Sequence, residues 1–222
     1  MLTLDAPWLD WDLGAEMPVI SWALNRPGIT TARHIIWREV KNADLPPGMD
    51  VVAWLKGELA SRNRAEAVAF LTSRNVSVHH VAEATEGRTT AQAVATVGLS
   101  NAERVGARVD YSRRDWGTIN VALRLDAGLT QAALIEALSI ATQARTAAVM
   151  DADFRLPTGV ATGTGTDCIA VAAPAGDTGF AGLHTDAGAA IGRAVYTAVA
   201  EGTARWLAKS FRGNHDIEEA AQ

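Results

Sequence analysis

Cys168-Ile169-Ala170-Val171-Ala172-Ala173 (CIAVAA) is an apolar run with no polar alternation. A strand with one wet face alternates, whereas a strand buried on both faces does not, so this run predicts a strand near the centre of a sheet with layers above and below it. Upstream, Thr118–Leu125 does alternate: Ile119, Val121, Leu123 and Leu125 fall on one face, Thr118, Asn120, Ala122 and Arg124 on the other. Between these strands Thr130 is placed to cap a helix whose stripe runs Leu134, Ala137, Leu138, Ala141, Ala144 and Ala148, the spacing of a helix lying on a sheet. A last helix is expected from about Thr185, with Ile191, Val195, Ala198 and Trp206 on one side. Gly188 and Gly192, four apart, are positioned there for close backbone approach.

The first half reads as strands at Val19–Leu24 and Arg33–Val40 joined by the turn Asn25-Arg26-Pro27-Gly28. Asp50 caps a predicted helix to Ala60, and a second helix is expected over Arg64–Ser73 on Ala65, Val68 and Phe70-Leu71. Strands return at Val76–Val81 and, after Glu86-Gly87, at Thr89–Leu99. This order predicts an α/β or α+β fold: a single layered domain, residues 1–209, with one mixed β-sheet flanked by helices. A polar tail, 210–222, is expected to fray.

Composition narrows the function classes. The 222 residues are 48% hydrophobic and 20% charged with a formal net charge of -5, and no basic stripe occurs, so no nucleic-acid partner is expected. No apolar run approaches the roughly 20 residues of a membrane span, and the start MLTLDAPWLDWDLG is acidic where a signal peptide is basic. Cys168 is the single cysteine, which precludes an internal disulfide and suits a cytoplasmic protein. His79-His80, adjacent on an expected strand, point to opposite faces and chelate poorly, so no metal is expected.

The run Ala161–Asp167 (ATGTGTD) feeds directly into CIAVAA. It lacks the third glycine of a dinucleotide fingerprint and precedes a strand rather than a helix, and it lacks the Gly-Lys-Ser/Thr of a P-loop. Two readings stay open. Gly163 and Gly165 can take positive φ and bare their N–H groups as an anion nest or oxyanion hole, with Thr164 and Thr166 adding hydroxyls and Asp167 a proton acceptor. Alternatively the loop is simply tight, and Asp167 satisfies its amides. Small polar clusters also mark other element ends: Gly98-Leu99-Ser100-Asn101-Ala102, Gly117-Thr118-Ile119-Asn120, and His184-Thr185, where a helix cap is the plain alternative. Together they suggest a pocket rimmed by loops.

These clusters, with Phe180-Ala181-Gly182-Leu183-His184-Thr185 and Ile191-Gly192-Arg193-Ala194-Val195-Tyr196, resemble the adenosylcobinamide amidohydrolase family in order and spacing, most strongly over Ala93–Val199. The chain departs from the family pattern at Arg26-Pro27, where a glycine pair is usual, and near Trp37, where an asparagine is. The resemblance implies a corrinoid-salvage hydrolase that cleaves the aminopropanol amide of adenosylcobinamide to give adenosylcobyric acid. The corrinoid is then substrate, not cofactor, and a homo-oligomer stays open. The site residues expected are Asp167, His184, Thr164 and Thr166 for catalysis, and Gly163, Gly165, Ser100, Asn101, Asn120 and Thr185 for substrate binding. Attack by water is the preferred chemistry, with Asp167 or His184 as base, because no serine sits in a nucleophile elbow. A threonine nucleophile, a self-processing threonine-type amidase and a non-catalytic corrinoid-binding module are the alternatives.

Overall fold

The computed structural model describes residues 1–107 and 116–219. In chain order its elements are β1 (Leu2–Asp5), β2 (Trp8–Ser21), β3 (Gly28–Glu39), α1 (Val51–Ser61), β4 (Val68–Thr72), β5 (His80–Glu86), β6 (Thr89–Val97), β7 (Ala102–Glu103), β8 (Ile119–Leu125), α2 (Gln131–Asp151), β9 (Arg155–Leu156), β10 (Gly159–Val160), β11 (Gly163–Thr164), β12 (Cys168–Ala172) and α3 (Asp186–Glu219). The main sheet runs β4-β3-β2-β12-β8-β6-β5, with β1 sharing an edge of β2.

As CIAVAA predicts, β12 lies mid-sheet, antiparallel to β2 and parallel to β8, with Cys168 opposite Asn120. Its two faces serve different cores. Ile169 and Val171 join Ile119, Val121, Leu123 and Leu125 under α2 and α3. Ala170 and Ala172, with Ala122 and Val94, face Ile35, Trp37, Val68 and Phe70 from the β3–β4 wing. The sheet therefore curls until its β3–β4 wing lies over its own β6–β8–β12 floor. The floor is small-sided where the wing is large: Trp37 and Phe70 meet edge to face at 5.1 Å above alanines, and each such buried side chain contributes about 1.5–3 kcal/mol. On the wing's outer face α1 packs Leu55 and Leu59 against Trp8, Ile36 and Ala69.

Curling needs a break in β2. The register with β3 shifts between Asp12 and Met17, and Gly14 sits there at φ +89°, a conformation side chains resist. Asp12 holds the bend, accepting from Gly14 N at 2.8 Å and from Arg33 Nε and Nη2 at 2.8 and 2.9 Å.

Three expectations are corrected. Arg64–Ser73 is not a helix: Val68–Thr72 is β4, parallel to β3, because a short run buried on both faces carries no period that separates helix from strand. Val76–His79 is turn, and β5 begins only at His80, so His79 and His80 do not share a strand. Strand β2 starts at Trp8, far ahead of Val19. The capped starts of α1 and α2 hold, with Asp50 accepting from Ala53 N at 2.9 Å and Thr130 from Ala133 N at 3.2 Å. Helix α3 continues through Glu219, past Lys209 where the apolar pattern stops.

Candidate active site

Because β8 and β12 are parallel and adjacent, the loops that enter them emerge side by side. Opposite them stand the end of β4 and the segment after β3. The result is a cleft of about 610 Å³, within the range of small-molecule pockets. Its walls are mostly apolar: Trp22 to Leu24, Leu45, Pro47 and Phe70, with Trp116 to Thr118 and Thr166 to Cys168 closing one side. Among the described residues, the cation that lines it is Lys41. The wing is tied to the loops across the cleft by Asn120 Nδ2, which donates to Leu71 O at 2.8 Å, and by Ser73 Oγ, which donates to Trp116 O at 2.6 Å.

The Gly-Thr loop is organised around its own carboxylate. Asp167 Oδ1 accepts from Ile119 N at 3.0 Å and Thr164 Oγ1 at 2.5 Å; Oδ2 accepts from Thr164 N at 2.9 Å and Arg145 Nη1 at 2.6 Å. An ionised carboxylate offers about four acceptor positions, and four donors occupy this one. The side chain is 6% exposed and Arg145 is 12% exposed. Burial pushes the Asp167 carboxyl above its ordinary pKa, and Arg145 with the Thr164 and Ile119 donors pulls against that shift. Arg145 also donates to Thr162 O at 2.9 Å, so one guanidinium from α2 pins both ends of the loop.

This geometry corrects the open-nest reading. Neither Gly163 nor Gly165 has positive φ. Gly163 is needed for space, since a Cβ there falls 1.8 Å from Arg145 Nη1 and 2.5 Å from Asp167 Oδ2. Gly165 faces open space, and its N–H points weakly to Asn101 O at 3.4 Å. The anion this loop cradles is Asp167.

Of the predicted residues, Thr166 and Asp167 line the cleft. Asn101 and Asn120 are buried behind it: Asn101 Nδ2 donates to Thr166 Oγ1 at 3.3 Å, while Asn120 braces β4. Thr166 Oγ1 in turn donates to Gly117 O at 2.9 Å. Ser100 is exposed and stands outside the lining, as do Gly163, Thr164 and Gly165. His184 and Thr185 are elsewhere, in an open depression with Glu136, Ser139 and Gln143. Thr185 is a helix cap there, its Oγ1 accepting from Gly188 N at 2.9 Å and donating to Gly182 O at 2.8 Å. Cys168 reaches the cleft, but burial pushes its thiol up to about 12, which keeps it un-ionised and poorly nucleophilic at neutral pH.

Sequence reasoning missed Arg145, Trp22 and Trp116. Arg145 had a signal: it follows Ala141 by four and so continues the buried stripe of α2, where an arginine requires a partner. No group of three or more His, Cys, Asp or Glu side chains able to hold a metal ion occurs among the described residues. The departures from the family pattern are structural here. Arg26 is tied to Glu66 and Thr30, and Trp37 is core.

An apolar cleft at the shared entrance of two parallel strands, on a layered mixed-sheet α/β domain, is the kind of place where small-molecule sites occur. The chain belongs to the adenosylcobinamide amidohydrolase family, whose model matches residues 3–210. No curated protein matches it. Among solved structures it is similar to a beta-aminopeptidase of Burkholderia sp., with 13% identity over 88% of this chain and 78% of that one and a TM-score of 0.46. It is also similar to the PH0078 protein of Pyrococcus horikoshii OT3, with 12% identity over 88% and 76% and a TM-score of 0.45.

Proposed function

We propose that this protein hydrolyses the amide joining aminopropanol to the propionyl arm of adenosylcobinamide, releasing adenosylcobyric acid for corrinoid salvage. The family match over residues 3–210 carries the reading, and a broad apolar cleft with the Gly-Thr loop in its wall is consistent with it. Water attacks the amide carbon, the C–N bond breaks, and the departing amine takes up a proton. Of the two candidate bases, Asp167 is the one at the cleft, and His184 lies in the separate depression. For Asp167 to take a proton from water it must first release one of its four donors.

A second reading is a threonine nucleophile: Thr164 stands outside the lining of the cleft, but its Oγ1 donates to Asp167 Oδ1, which would receive the hydroxyl proton as Thr164 attacks. Thr164→Ala separates the two. Turnover within about threefold of wild type keeps water as nucleophile; a loss of about 10²-fold or more, with an acyl adduct trapped in wild type, assigns Thr164.

The experiment that tests the function is incubation of pure protein with adenosylcobinamide and chromatography of the corrinoid. Adenosylcobyric acid is expected, and thorough chelation is expected to leave the rate unchanged. Tight binding with no product at any pH from weakly acidic to alkaline would instead identify a corrinoid-binding module.

A further inference from the structure

Tryptophan is rarely left in water when a core is available, yet two of the seven indoles stand at the cleft, Trp22 at 44% and Trp116 at 50% exposed. By contrast Trp8, Trp11 and Trp37 are buried in the cores. The Nε1 of Trp22 donates to the carbonyl oxygen of Asp167 at 2.8 Å. The ring that forms the cleft wall is thus hydrogen-bonded to the backbone of the residue around which the Gly-Thr loop is organised. It leaves the chain directly after Ser21, whose Oγ donates to Ile169 O of β12 at 2.8 Å and accepts from Ala23 N at 3.0 Å, so one hydroxyl ties the backbone on both sides of Trp22 and is itself held by β12.

We propose that Trp22 is a specificity-determining and positioning residue that couples ligand to loop. This rests on the amide-hydrolysis reading of the cleft. Its indole face packs on the flat, apolar part of the ligand, and its N–H holds the Asp167 carbonyl, so a ligand that seats the ring also fixes the loop's position. The two functions of Trp22 are chemically separable, because phenylalanine keeps an aromatic face and lacks the N–H.

The test compares wild type, Trp22→Phe, Trp22→Ala and Trp116→Ala. Adenosylcobinamide affinity is measured by equilibrium dialysis, amide hydrogen exchange of residues 163–168 with and without ligand, and turnover in parallel. Trp22→Phe is expected to bind within about threefold of wild type, to lose the ligand-induced protection of the loop and to turn over roughly tenfold slower. Trp22→Ala is expected to lose about tenfold or more in affinity as well, and Trp116→Ala to lose affinity while keeping the loop protection. Loop protection in Trp22→Phe equal to wild type overturns the coupling, and wild-type affinity in Trp22→Ala overturns the packing role. Absence of turnover in wild type counts against hydrolysis alone, since affinity and exchange still decide the role of Trp22.

Discussion

Gly163 and Gly165 differ in what surrounds them, although the sequence presents them as equivalents. A methyl at Gly163 collides with the Arg145–Asp167 pair, whereas one at Gly165 meets nothing within 4 Å. Gly163→Ala is expected to lower the melting temperature, since overpacking of this kind costs about 1–3 kcal/mol, and to reduce turnover with it. Gly165→Ala is expected to keep turnover within about twofold; a loss of 10²–10³, the effect typical of a deleted oxyanion donor, would restore the oxyanion role to its N–H. The buried pair itself is open to a thermal melt. Arg145→Met leaves Asp167 buried without its cation and is expected to destabilise by about 3–5 kcal/mol, the range for breaking one side of such a pair. The loop was legible as unusual because glycine, threonine and aspartate crowd the mouth of an apolar strand. The tight-loop reading, in which Asp167 satisfies the loop's amides, holds at Thr164 N; Arg145 as its second partner was not legible, because it comes from a different element, and local spacing is silent on partners across a fold.

Elements whose burial is one-sided, or complete over a continuous run, could be read from the chain. Strand β12 lacks alternation and lies mid-sheet, buried on both faces; β8 alternates in sequence, yet its second face is covered as well, with Asn120 and Ala122 buried. Strand β4 was misread for a physical reason: Val68, Ala69 and Phe70 are all buried, and such a run suits a helix packed on all sides as well as a strand. The first half of β2 did carry a signal, since Leu9, Trp11 and Leu13 turn inward between Asp10 and Asp12. The two-residue strands β7 and β11 carried none, as their pairing depends on where the surrounding loops are brought. The spaced glycines of α3 were half right. A Cβ at Gly188 comes within 2.0 Å of Gly182 O, while one at Gly192 touches nothing within 4 Å. Gly188→Ala is therefore expected to lower thermal stability markedly. Gly192→Ala, which removes a glycine from a helix interior, is expected to raise it by up to about 1 kcal/mol; similar melts for the two variants would contradict the assignment.

At the scale of the molecule, β5 is fastened to α3 through His80, whose side chain is 11% exposed and packs against Gly202. Burial depresses the His80 pKa below its ordinary 6.5; Glu201 opposes the shift, while Arg205, His79 and Arg74 reinforce it. The folded state thus binds fewer protons here than the unfolded chain. The stability this provides is present above about pH 6.5 and is lost as pH falls through the folded value. Melting temperature is expected to decline on acidification below 6.5, and His80→Gln to flatten that decline; an unchanged slope would place the sensitivity elsewhere. The central place of β12 has another consequence, this one for synthesis. It is the last strand of the sheet to leave the ribosome and the one that joins β2 to β8. Until it arrives, both strands present unpaired edges, the surface on which nascent chains aggregate. Fragments ending before Cys168 are expected to be insoluble, and the full chain to depend on chaperones until its final third is made.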